Sequence, residues 1–251
     1  MAASILAVSS LGVTASHAGI INVGGIIWDT DSPLDFSSTT ATIQQSIDAV
    51  TGVVSGFGVI TTINGTGVGA FLQAGVASEL TFAFGGFTPI GGAAIPSPLD
   101  PAGSQIFYSG GFVNVYVDNP LGNIADANNP LALSAANTTD GNLWLALTGH
   151  EIAGSSLTGT NNFGAGILLG GGLLDVIGGL AQANFDTNTR TDGADFSFTN
   201  SFTSFPTNSP LFATGAGTFF SDSVAVPEPA TLALLGLGLL GIGATRKLKQ
   251  V

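Results

Sequence analysis

An all-β chain, a single β-sandwich or barrel-like domain of short antiparallel strands, is what this sequence predicts, on three observations. Apolar residues alternate with polar or small ones along several short segments, which is the period of a half-buried strand. Clusters of Gly, Asn and Pro punctuate those segments, as tight turns require. The composition joins 37 Gly to 17 Phe and has only 8% charged residues. That mix supplies turn positions together with residues that suit a pleated surface. A length of 251 residues fits one domain of about 200 residues with short end segments.

The strands follow in chain order. Residues 58–63, Gly-Val-Ile-Thr-Thr-Ile, are the first strand candidate. Leu80, Phe82 and Phe84 alternate with Thr81 and Ala83, and Val113, Val115 and Val117 alternate with Asn114 and Tyr116. Between residues 106–108 and 112–117 the pair Gly110-Gly111 has the chemistry of a hairpin turn. Leu143, Leu145 and Leu147 alternate with Trp144 and Ala146, and residues 194–199 and 217–220 complete the set. Residues 40–50, with Ile43, Ile47 and Val50 at helical spacing, predict one short helix. Loops rich in Pro and Gly cover residues 89–103 and 118–130. No fixed-period repeat supports a solenoid or propeller.

The two ends read differently from this body. Residues 1–18 hold an apolar stretch followed by Ser16-His17-Ala18, whose small residues suit signal-peptidase cleavage after Ala18. A signal peptide opens with a basic residue and none precedes Arg190, so the start of the protein is expected upstream of Met1. At the other end Pro227-Glu228-Pro229 leads into an apolar Leu/Gly run, then into Arg246, Lys247 and Lys249. Pro229 sits where a helix can begin. Residues 230–245 would span about 24 Å as a helix, slightly less than a ~30 Å hydrocarbon layer. The basic cluster after the run acts as a stop-transfer signal and places the preceding chain outside the cytoplasm. The spacing Gly236, Gly238, Gly241 imitates a dinucleotide-binding loop, but it follows no strand and lies inside the anchor. The expected division is a signal peptide at 1–18, an extracellular β-rich domain at 19–225, and a sorting signal with a transmembrane anchor at 226–251.

Pro-Glu-Pro, an apolar helix and a terminal basic cluster, in that order, resemble the PEP-CTERM sorting domain. The resemblance implies a protein exported through the inner membrane, recognised by the membrane protease exosortase, and left at the cell surface or in the extracellular matrix. Residues 23–33, with Trp28, Asp29 and Asp31, followed by Gly56-Phe57-Gly58 and Ile63-Asn64-Gly65, resemble the start of flocculation-associated PEP-CTERM proteins. That resemblance implies a non-enzymatic role in holding cells and exopolysaccharide together.

Charge and residue types narrow the chemistry. Setting aside Glu228 leaves 15 acids, and setting aside the three basic residues of the tail leaves Arg190 alone, a formal charge of −14 on the body. Nucleic acid is excluded as a partner, because no cationic surface meets a phosphate backbone. Divalent cations would relieve the self-repulsion. Without Cys there is neither a disulfide nor a thiolate site. One His, His150, remains after cleavage, and no G-x-S-x-G elbow accompanies it, so triad and zinc chemistry lack their parts. A carboxylate-dependent polysaccharide hydrolase stays open as one alternative. A carbohydrate-binding module, with Trp28, Trp144, Tyr108 or Tyr116 stacking on sugar rings, is another. Calcium is the candidate cofactor: Asp186, Asn188, Asp192 and Asp195 place oxygen ligands at alternate positions with Gly193 after one of them. Asp29, Asp31 and Asp35 make a second acidic cluster. The function expected is an exported structural protein promoting aggregation, flocculation or biofilm formation with exopolysaccharide, and not an enzyme.

Overall fold

The computed structural model describes residues 20–30, 39–72, 78–92, 94–97, 99–118, 123–162, 167–204 and 211–226. In chain order its strands are β1 (Ile20–Val23), β2 (Ile26–Asp29), β3 (Thr39–Ile47), β4 (Val54–Ile60), β5 (Thr62–Ile63), β6 (Thr66–Gly67), β7 (Glu79–Pro89), β8 (Ser104–Asp118), β9 (Asn142–Gly149), β10 (Leu157–Asn162), β11 (Ile167–Gly178), β12 (Phe196–Ser204) and β13 (Phe212–Ser221). Single-turn helices α1 (Val68–Phe71), α2 (Ala135–Thr138) and α3 (Gln182–Phe185) lie in the connections.

The all-β expectation holds, and the sheet closes. Strands β3, β4, β7 and β8 pair in sequence order, and β11, β12 and β13 do the same. Strand β13 returns to β3, with Phe212 opposite Ser46 and Phe219 opposite Thr39. Two strands share the last stave. β9 fills the gap between β8 and β11 at one end, with Leu147 opposite Val113 and Val176. β10 fills it at the other end, with Leu157 opposite Tyr108 and Gly172. The result is an antiparallel up-and-down barrel of eight staves, and closure leaves no long sheet edge exposed. Some strands exceed the short ones expected, β8 reaching 15 residues.

Alternation sends apolar residues inward and mostly Thr, Ser and Gln outward, with Phe107, Phe112, Leu169 and Ile177 as exposed apolar residues on β8 and β11. On β12, Phe196, Phe198 and Phe202 are buried while Ser201 and Thr203 are exposed. This is the reverse of a lipid-facing barrel. Glycines in the inward rows make room for the phenylalanines. A Cβ on Gly58 would run into the Phe82 ring, one on Gly172 would come within 2.9 Å of the Phe198 ring, and one on Gly217 within 2.6 Å of the Ile43 methyl.

Two expectations are corrected. Residues 40–50 are not helical, for β3 runs from Thr39 to Ile47 and Asp48 caps the turn that follows by accepting from the Val50 and Thr51 amides. Ile43 and Ile47, four apart, satisfy the strand period as well as the helical one. Gly110-Gly111 is not a hairpin turn either. Both residues have positive φ, 63° and 89°, but they bend β8 midway without reversing it. Glu151 accepts the Gly110 amide and Ser156 Oγ donates to the Gly110 carbonyl, so the bend leaves neither group unpaired.

The two barrel ends differ. At one end the β1–β2 hairpin and α3 form an aromatic plug. Trp28 stacks on Phe185 at 5.2 Å and meets Trp144 edge-on at 5.5 Å, and all three are buried. Each indole N–H is used: Trp144 donates to the Val23 carbonyl and Trp28 to Ser223 Oγ, both at 2.9 Å. At the other end, the mouth, residues 94–97 cross the opening, and Asn161 Nδ2 donates to the Ser97 carbonyl at 2.8 Å.

Gly58→Ala is expected to lower stability by about 1–3 kcal/mol through overpacking against Phe82. Gly69→Ala, where an added Cβ would meet nothing within 4 Å, should leave stability unchanged or slightly raised. Phe82→Leu in the Gly58→Ala background should recover part of the loss. Denaturant melting of these proteins together with Phe82→Leu alone measures the coupling, and strictly additive effects would contradict the ring-on-glycine packing.

Candidate functional site

Chemistry-bearing residues gather at the plug end, where the connections from β11 to β12 and from β13 to the tail meet. The acidic loop 186–195 follows α3. Asp195, 1% exposed, accepts the Thr187 and Asn188 amides on one oxygen and the Val176 amide on the other, at 2.8–2.9 Å. Three such charge-assisted bonds satisfy and orient the carboxylate within the protein itself. Arg190 grips Asp192 through both guanidinium and carboxylate forks, at 2.8 and 3.1 Å. That contact holds the Asp192 carboxyl below the ordinary range. Asp186 takes the Asn188 side-chain amide at 3.1 Å.

The four expected calcium ligands therefore lie on one loop but point to different partners. Among the described residues no group of three His, Asp or Glu is arranged to hold a metal. In the second acidic cluster Asp29 is exposed at the end of β2, and Asp31 and Asp35 lie outside the described residues.

His150 anchors the same loop. Its Nδ1 faces the Asp175 carboxylate at 2.8 Å and its Nε2 the Asp192 carbonyl at 3.1 Å. Both ring nitrogens are engaged by the fold, which leaves no nitrogen to activate a nucleophile. Thr189 Oγ1 donates to Asp222 at 2.7 Å, fastening the loop to the chain leaving β13. That exit is pinned again where the Val224 amide donates to the Asn184 carbonyl and Asn184 Nδ2 donates to the Val224 carbonyl, each at 2.9 Å. The sequence pattern held no signal for this clasp.

Of the aromatics weighed for sugar stacking, Trp28, Trp144 and Tyr108 are core residues, 3%, 0% and 3% exposed. Burial pushes the Tyr108 hydroxyl up to about 12. Tyr116 is half-buried on the wall. A surface platform needs exposed faces, which the three buried rings do not have.

The carboxylate pair that best fits a hydrolase is Glu79 and Asp118, opposite each other on β7 and β8 and both buried. Glu79 is raised from 4.5 to about 7, chiefly by burial, opposed by the Ala125 amide and reinforced by Asp118 and Asp140. Both Glu79 oxygens lie within 3.2 Å of the Ala125 amide. Segment 123–141 lies along the outer wall, where Ala125 and Leu133 pack on Val59 and Thr81 Oγ1 donates to the Thr138 carbonyl. The raised acid thus fastens a covering segment. The folded chain holds this proton more tightly than the unfolded one. Stability from Glu79 is accordingly greatest below pH 4.5 and falls as pH rises through 7, by about 1–3 kcal/mol. Glu79→Gln keeps an acceptor for Ala125 and should flatten that decline in thermal melting between pH 4.5 and 7.5. An unaltered decline would assign it to other acids.

The expected sorting residues Pro227, Glu228 and Pro229, the stop-transfer residues Arg246, Lys247 and Lys249, and the cleavage residue Ala18 all lie outside the described residues. Among the described residues no helix is long and apolar enough to cross a membrane. No curated protein matches the chain, and no solved structure does. A family profile described as the PEP-CTERM protein-sorting motif matches residues 225–247, beginning one residue after the pinned Val224. The chain is an exported, surface-sorted protein that carries a PEP-CTERM sorting motif and is an exosortase substrate.

Proposed function

We propose that the barrel is a non-enzymatic cargo of this sorting route, released into the extracellular matrix, where it promotes aggregation, flocculation or biofilm formation with exopolysaccharide. The observation that carries this reading is the junction between fold and motif. The barrel is finished and its exit fastened at Val224, so the motif that starts at residue 225 handles a folded body as its load.

Two features support a binding role over a catalytic one. His150 and Arg190 are both committed to holding loop 186–195. The buried acids Glu79 and Asp195 are likewise engaged by backbone amides. The outer wall is rich in Thr, Ser and Asn, and the body carries many more acids than bases. Such a surface meets a neutral glycan through hydrogen bonds and an acidic glycan through bridging divalent cations such as calcium.

Replacing Pro227, Glu228 and Pro229 together by Ala is expected to leave the full-length protein in the membrane fraction, unprocessed, while wild type is shortened and released. Fractionation with a tag in the barrel reads both outcomes, and normal release of the triple variant would contradict the sorting role of these residues. Deleting the gene should reduce floc or biofilm mass, with recovery on complementation by wild type and not by the triple variant. Unchanged aggregation in the deletion strain would overturn the matrix role.

A further inference from the structure

The barrel is not uniformly filled. Toward the plug the inward glycines lie under rings, as Gly58 does under Phe82 and Gly172 under Phe198. Nearer the mouth Gly56 lies under Phe84 and Gly111 under Phe87, but the stave of β10 departs from this pattern. An added Cβ at Gly159 would meet nothing closer than Tyr108 at 3.3 Å. An internal cavity of about 60 Å³ lies at this level, walled by Ile43, Phe84, Ile106, Leu168, Phe198 and Phe202 and reaching Pro96 at the mouth.

Gln45, Thr160, Asn161 and Asn200 are the polar side chains of a mostly apolar lining, and Asn200 alone among them leaves a buried oxygen unpaired. Asn200 follows Phe196 and Phe198 and precedes Phe202 in the inward row of β12, and it lines the cavity beside Gly170. Its Oδ1 is buried and has no hydrogen-bond partner in the protein. Buried polar groups are nearly always paired, and an unpaired one is costly. An apolar side chain of the same size would pack here at no such cost. No Lys, Arg, His, Asp or Glu lines the cavity, so an ion entering it would find no counter-charge.

We propose that this cavity is a binding site for a small uncharged amphiphile, an unbranched alkyl or acyl chain bearing one hydroxyl or amide N–H that donates to Asn200 Oδ1. Eight staves are the size at which a barrel either fills with side chains or holds one small ligand, and here the plug half does the first and the mouth half the second. The apolar walls supply burial and Asn200 supplies orientation, the usual division of labour in a ligand pocket. The ligand replaces whatever water satisfies Asn200 in its absence. This inference does not rest on the matrix role, and either can fail without the other.

The test uses the folded barrel with three six-carbon probes: 1-hexanol, its methyl ether and hexanoate at pH 8. Methyl-resolved NMR of Ile43 and Leu168 follows occupancy, and thermal melting follows stability. Hexanol is expected to bind saturably and raise the melting temperature, the ether to bind about tenfold more weakly for want of a donor, and hexanoate not to bind. Asn200→Leu should equalise hexanol and the ether, and its own melting temperature should be no lower than wild type. No saturable shift with hexanol, equal binding of hexanol and ether to wild type, or tighter binding of hexanoate would each overturn the proposal. So would a marked loss of stability in Asn200→Leu, which would show that the amide serves the fold.

Discussion

The room inside a closed eight-stave barrel is fixed by its strand number, and the sequence meets that limit by laying phenylalanine rings on glycine backbone. Barrel interiors of this size are filled by side chains or hold one small ligand. A ring the size of Phe82 fits because the neighbouring stave presents Gly58 with no Cβ to oppose it. Phe198 over Gly172 and the Ile43 methyl over Gly217 repeat the arrangement around the wall. This explains why a chain so rich in glycine, 37 residues, is also rich in phenylalanine, 17. Each glycine weakens its own strand by losing a packing side chain. The ring it admits recovers more apolar burial than any small side chain would provide.

Charge is handled by a different rule, because salt bridges are scarce. The body has one base for its 15 acids, and that base, Arg190, is spent on Asp192. Two of the acids that go inside are matched to backbone amides, Asp195 to those of Val176, Thr187 and Asn188, and Glu79 to that of Ala125. An amide supplies a directed donor without a second side chain to order, so a buried carboxylate can be satisfied where no cation is within reach. The outcome divides on what surrounds the acid. Glu79, next to Asp118 and Asp140, is raised toward neutrality, whereas Asp192 beside Arg190 is held low.

What could be read in advance follows from whether the signal is local. The inward rows of β7 and β8 were legible because Leu80, Phe82 and Phe84, and Val113, Val115 and Val117, carry their period in consecutive residues. Barrel closure was not, since it depends on Phe212 finding Ser46 across most of the chain. β11 hid for another reason: Gly170, Gly171 and Gly172 leave three successive positions without side chains to show a period. The Gly110-Gly111 bend looked like a turn because positive φ serves both, and only the partners on either side distinguish them. Acidic loop 186–195 shows the same limit at a site. Its alternating oxygens are visible in sequence, but the direction of Asp195 is set by Val176 on a neighbouring strand. The tail was legible throughout, because Pro-Glu-Pro, an apolar run and a basic cluster convey their meaning by linear order alone.

The plug makes the tail and the cavity opposite ends of one object. Trp28 packs on Phe185 and Trp144, and its indole N–H reaches Ser223 in the outgoing chain. Asn184, one residue before Phe185, holds Val224 through two hydrogen bonds. The sorting motif begins at residue 225, so almost no slack separates the motif from the plug. Whatever engages the motif must meet the barrel at its closed end. The mouth, with the loop 94–97 across it and the cavity beneath, then lies on the far side. While the chain is attached, a barrel joined in this way turns its aromatic plug toward the site of processing and its mouth away from it.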